Sequence, residues 1–66
     1  MKFVWTTNVH TDEPILINLD QVEFMYEESS AKLEEYHAFI KFTSGDTVVE
    51  VVDNTLDLLQ RLPRYE

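Results

Sequence analysis

An α+β fold, an antiparallel β-meander of about four strands with one short C-terminal helix packed on one face, is predicted by three features of this 66-residue chain. Two apolar runs rich in β-branched and aromatic residues flank the only glycine between Ala38 and Val52, the pattern of a β-hairpin. Alternation with period two recurs in Lys2–Thr7 and Val22–Glu27, as in half-buried strands. A leucine-rich stretch with helical spacing then runs from Asn54 to Leu62 and stops at Pro63.

In chain order, Lys2–Thr7 is strand-like, with Phe3, Trp5 and Thr7 on one side and Lys2, Val4 and Thr6 on the other. Asn8 to Pro14 is polar and contains Asn, Asp and Pro, a loop signature. Ile15–Asn18 is a short apolar run, and Asn18-Leu19-Asp20 predicts a brief turn through side-chain capping. Strict alternation in the next strand sets Val22, Phe24 and Tyr26 against Glu23, Met25 and Glu27. Glu28 to Glu35 is compatible with one helical turn capped by Ser29 or Ser30, but the period-two segments on either side favour a loop.

The central hairpin admits two turns, Ser44-Gly45 as type I′ or Gly45-Asp46 as type II′, both needing positive φ. In either register Ala38, Ile40, Phe42, Thr47, Val49 and Val51 share a face, which is the expected core side. Phe39, Lys41, Val48, Glu50 and Val52 share the other, with Lys41 able to pair with Glu50 across the strands. In the helix, Asn54 is the expected N-cap, with Asp57 completing a capping-box-like pair and suiting the positive N-terminal dipole. Leu56, Leu58, Leu59 and Leu62 form a stripe that is expected to lie on the sheet. Arg64-Tyr65-Glu66 reads as a loose tail.

Sixty-six residues fit a single domain, 1–66, and so short a chain buries only about 60% of the surface that it exposes when unfolded. It holds no cysteine, so there is no disulfide or thiolate metal site, and packing or self-association must supply the stability. No apolar run approaches the length of a membrane span or signal peptide, and the chain reads as cytoplasmic. Thirteen acidic against five basic residues give a net charge of −8, which argues against direct nucleic-acid binding.

Candidate chemistry is sparse. His10 and His37 are the only histidines; His10 reads as a loop residue and His37 as a surface imidazole, and no metal set is expected. Adjacent carboxylates such as Glu27-Glu28 and Glu34-Glu35 point to opposite strand faces and cannot act as an acid/base pair. Ser29, Ser30 and Ser44 lack the context of a nucleophile. A non-enzymatic module without a cofactor is therefore expected. Its interface is predicted at Met25, Phe39, Val48 and Val52 on the outer sheet face, with Trp5 as a further anchor, and a homo-oligomer is expected. The alternative is an acidic inhibitor or nucleic-acid mimic that meets a basic protein through Asp20, Glu23, Glu27, Glu28, Glu34 and Glu35.

Ile17-Asn-Leu-Asp-Gln-Val-Glu23, Ile40-Lys-Phe-Thr-Ser-Gly-Asp-Thr-Val-Val49 and the Asn54 to Leu62 helix together resemble the small flagellar FlbD/SwrD family. In that family an Asn-x-Asp-x-Ile-Glu segment, an Asn-Gly hairpin and a terminal helix follow in the same order. The chain departs from the pattern by its longer acidic connection from Glu28 to Tyr36 and by Ser44 before the glycine. The resemblance implies a non-enzymatic accessory protein acting through protein contacts.

Overall fold

The computed structural model describes residues 2–61. Five strands, one more than predicted, are followed by a short helix: β1 Phe3–Thr7, β2 Pro14–Asn18, β3 Val22–Glu28, β4 His37–Phe42, β5 Val48–Glu50 and α1 Thr55–Gln60. They form two antiparallel sheets rather than one meander, β1-β2 and β3-β4-β5. Val51 joins the sheets: its amide bonds to Ala38 O at 3.1 Å while Val52 N donates to Thr7 O at 3.0 Å, forming a bridge with Asn8. Val4, Ile17, Ala38, Ile40, Val51 and Leu58 make the buried core.

Local chemistry explains most boundaries. Asn8 closes the β1-β2 loop, its side-chain oxygen accepting the His10 and Thr11 amides, and Asp12 turns the chain at φ 60°, a conformation that Asp tolerates better than most residues. Asn18 accepts from Asp20 N at 3.0 Å and starts a 3-10 turn over Leu19–Gln21. Residues 29–36 form a loop without helix. Asn54 caps α1 by accepting Asp57 N at 2.8 Å, as expected, and Glu27 adds a cap from β3 by accepting the Thr55 amide and hydroxyl, both at 2.8 Å. These two bonds hold the Glu27 carboxyl below its ordinary value, against a small desolvation that opposes them.

Four expectations are corrected. The register Ile40↔Val49 is that of the Ser44-Gly45 placement, but the pairing ends at Lys41↔Val48 and Gly45 has no positive φ, so neither primed turn forms. Thr43 N instead donates to Gln21 O at 2.9 Å, which draws the loop toward the 3-10 turn. Second, a bulge between Val22 and Phe24 adds a residue to β3 and breaks strict alternation. Val22 and Met25 therefore both pack against the core, and Phe24 and Tyr26, opposite Lys41 and Phe39, take the outer face that was assigned to Met25.

Third, Lys41 does not pair with Glu50, which stands opposite Phe39; its Nζ lies 2.6 Å from Glu23 Oε1. Fourth, the leucine stripe does not lie flat on the sheet. Leu58 is fully buried, but Leu56 is 61% and Leu59 51% exposed. Six helical residues rise only about 9 Å, and α1 is anchored at its start by Glu27 and beyond its end by Arg61, so among the described residues of the stripe Leu58 alone reaches the core. The expected continuation through Leu62 to Pro63, and the tail, lie outside the described residues.

This arrangement predicts unequal leucines. Leu58→Ala should cost about 2–5 kcal/mol in urea unfolding followed by circular dichroism, and Leu59→Ala should stay within about 0.5 kcal/mol. Equal losses would mean that the stripe docks as a whole.

Candidate functional site

The outer face of the β3-β4-β5 sheet holds two adjoining features, an exposed aromatic row and a buried carboxylate. Across β3 and β4, Tyr26 stacks on Phe39 with ring centroids 5.3 Å apart and planes 9° from parallel. Phe24 follows on one side at 6.1 Å from Tyr26, and His37 on the other at 5.1 Å from Phe39. Lys41 Nζ lies 6.0 Å from the Phe24 ring and is neutralised by Glu23. Phe24 and Tyr26 are exposed, Phe39 is half-buried, and Val48 on β5 is exposed beside them.

Glu50 lies on the same face as Phe39 but is only 6% exposed. Its Oε1 accepts from His10 Nε2 at 2.8 Å, and its Oε2 accepts from His37 Nε2 at 2.6 Å and Ser30 Oγ at 2.7 Å. Three donors converge on one carboxylate, the arrangement of an ionised group. Burial acts first to raise the Glu50 carboxyl, but the bonds from Ser30, His37 and His10 outweigh it and hold the group below its ordinary 4.5.

His37 is not a surface imidazole; it is fully buried. Its Nδ1 lies 2.6 Å from the Glu35 carbonyl and its Nε2 2.6 Å from Glu50. The Glu35 carbonyl accepts, and so does Glu50 as a carboxylate, so the two contacts together suit a ring that carries protons on both nitrogens, an imidazolium. Burial works first against that charge, and the Glu35 and Glu50 bonds overcome it and raise His37 above its ordinary 6.5.

This cluster closes two loops onto β5. Ser30 and Glu35 belong to the 29–36 loop, where Ser30 N also donates to Leu33 O at 2.9 Å, and His10 belongs to the β1-β2 loop, where Val9 N donates to Glu50 O at 2.9 Å. Ser30 Oγ donates to Glu50 Oε2, a carboxylate that is already shared with both histidines. Among the described residues, no group of three or more His, Asp or Glu side chains is arranged to hold a metal ion.

A second hub fastens β1 to the end of α1. Asp53 accepts from Thr6 Oγ1 at 2.6 Å and from both terminal nitrogens of Arg61 at 2.7 and 3.0 Å, while Arg61 also donates to Trp5 O at 2.8 Å. The Arg61 bond is the main reason that Asp53 stays below its ordinary value, with burial opposing and Thr6 assisting. A cleft beside it is lined by Phe3, Trp5, Thr7, Pro14, Val52 and Arg61. Val52, expected beside Phe39 and Val48, lines this cleft together with Trp5, which is 61% exposed.

The interface residues expected from sequence thus divide three ways. Phe39 and Val48 lie on the outer face with Phe24 and Tyr26, Val52 lies at the Trp5 cleft, and Met25 faces the core. The acidic set divides as well. All six are exposed, but Glu23 is paired with Lys41 and Glu27 caps α1, leaving Asp20, Glu28, Glu34 and Glu35 outside those bonds. Sequence reading missed Phe24, Tyr26 and the Glu50 cluster; the one sign of the latter was a lone charge inside Val48-Val49-Glu50-Val51-Val52. Among the described residues no helix is long and apolar enough to cross a membrane. Comparison of the chain with family models, curated proteins and solved structures found no match.

Substituting the buried carboxylate separates this cluster from an ordinary surface pair. Glu50→Gln leaves the His37 imidazolium buried without its counter-charge and should cost about 3–5 kcal/mol at pH 6 by urea unfolding. Glu23→Gln should cost no more than about 1 kcal/mol. A Glu50→Gln variant as stable as the parent would show that the cluster is not charged.

Proposed function

We propose that the chain is a non-enzymatic, cytoplasmic interaction module that self-associates through the outer face of the β3-β4-β5 sheet. The observation that carries this reading is the aromatic row Phe24, Tyr26 and Phe39, in which Tyr26 stacks on Phe39, with Val48 beside it, left in contact with solvent. Large exposed patches of this kind mark interfaces, and rings already stacked in the free chain lose little conformational freedom on docking.

A second copy suits the face better than a charged partner. The charges beside the aromatic row are satisfied within the chain, Lys41 by Glu23 and His37 by Glu50, and the exposed Glu28 lies at the end of the face opposite His37, so the row itself offers apolar area. A two-fold interface sets the same patch against itself, and sheet faces pack at about 10 Å with interdigitated side chains. Association by the β3 edge is disfavoured, because Glu23, Glu27 and Glu28 on one seven-residue strand would bring like charges together. The resemblance to the flagellar FlbD/SwrD family supports the same class of function, an accessory protein working through protein contacts. The acidic-mimic alternative has less support, since two of its six carboxylates are engaged inside the chain.

Sedimentation equilibrium of Val48→Glu tests the reading. The substitution adds a charge to an exposed position on the outer face and should leave the far-UV spectrum unchanged while converting a dimer or larger species to monomer. Leu59→Glu, on the exposed side of α1, should keep the parent mass. A Val48→Glu variant of unchanged mass would remove this face as the interface.

A further inference from the structure

We propose that His37, Glu50 and Ser30 form a proton-operated latch that holds the 29–36 loop against β5 and releases it when the His37 ring loses a proton. The inference rests on geometry and is independent of whether copies of the chain associate. The loop is attached to the sheet by two side-chain links, Ser30 Oγ to Glu50 Oε2 at 2.7 Å and His37 Nδ1 to Glu35 O at 2.6 Å. Both depend on one ring, because His37 Nε2 also fixes the carboxylate that Ser30 uses.

A neutral imidazole carries one N–H, yet this ring faces two acceptors at 2.6 Å. Loss of either proton turns a hydrogen bond into two opposed lone pairs in a buried site. If Nδ1 loses it, the Glu35 carbonyl is repelled and the loop detaches at its C-terminal end. If Nε2 loses it, Glu50 is repelled and its contact with Ser30 is disturbed. The core beneath is independent of this ring, since Ala38, Ile40 and Val51 pack on the opposite face. Opening is therefore local.

The charged groups around the latch set its direction. Glu28 on β3 stands opposite His37, Glu50 faces it from β5, and His10 approaches Glu50 from the β1-β2 loop; Lys41, the cation on β4, is held by Glu23. His37 is raised in the folded chain, so its contribution is fully present below 6.5 and is lost as pH rises through the raised value. Glu50 is lowered, so its contribution is present above 4.5 and is lost as pH falls through the lowered value. The latch is closed between these limits and opens on the alkaline side by the loss of one proton from His37.

Nuclear magnetic resonance of the full chain between pH 5.5 and 9 tests this. Both His37 ring nitrogens should be protonated at pH 6, and the ring should titrate above 6.5. The Ser30, Leu33 and Glu35 amide signals should shift with the same midpoint while those of Val4 and Ile17 stay fixed. Exchange at the Leu33 amide, which donates to Ser30 Oγ at 3.2 Å, should accelerate about tenfold beyond its chemical pH dependence as the latch opens. Ser30→Ala removes the hydroxyl link without altering the ring and should give the open-state signals at residue 30 and Leu33 already at pH 6, while the Glu35 amide, still held through His37, keeps its closed-state signal until the ring titrates. A neutral His37 ring at pH 6, loop amides that ignore its titration, or a Ser30→Ala loop that stays closed at Leu33 would each overturn the latch.

Discussion

Glu50 is the constraint on which the two long loops depend. A carboxylate that is 6% exposed among valines would be strongly disfavoured if it stood alone. Here it is surrounded by donors from three places in the chain, His10, Ser30 and His37, at sequence separations of 40, 20 and 13 residues. Desolvation and hydrogen bonding oppose each other at the same atoms, and the hydrogen bonds prevail because every acceptor site in use meets a donor. Among the described residues no buried side-chain nitrogen or oxygen lacks a partner. One charge thus organises the end of a sheet that apolar packing alone would leave open.

Apolar packing has little reach in a chain of this size. Among the described residues six side chains form the buried core, Leu58 being the one from α1, and large side chains remain outside on several surfaces. They are not equivalent. Phe24, Tyr26, Phe39 and Val48 share one sheet face, whereas Trp5 and Val52 line a cleft beside the Asp53–Arg61 pair, and Leu56 and Leu59 lie on the helix. The first group combines a stacked pair, Tyr26 on Phe39, with neighbouring charges paired inside the chain, Lys41 with Glu23 and His37 with Glu50. With a net charge of −8 per copy, association through that face works against long-range repulsion, which salt screens.

What was legible in the sequence followed from local rules. Period-two alternation placed Ala38, Ile40 and Val51 in the core, and the side-chain chemistry of Asn18 and Asn54 located a turn and a helix start. The α+β class followed from the same patterns. What was not legible depended on distant partners. The bulge at Val22 and Phe24 moves Met25 inward and Phe24 outward by one residue of ladder shift, and the turn after Phe42 is shaped by Gln21 O rather than by Gly45. His37 is buried because Glu50 and the Glu35 carbonyl meet it across a loop, which no local pattern around Tyr36-His37-Ala38 encodes.

The most direct measurement is the solution mass by light scattering across a concentration series at low and high salt. Apolar association between copies of like charge should give a dimer or larger species that forms at lower concentration as salt is raised. A monomer at every concentration and salt level would contradict self-association through the aromatic face, and a complex that dissociates as salt is raised would contradict its apolar origin.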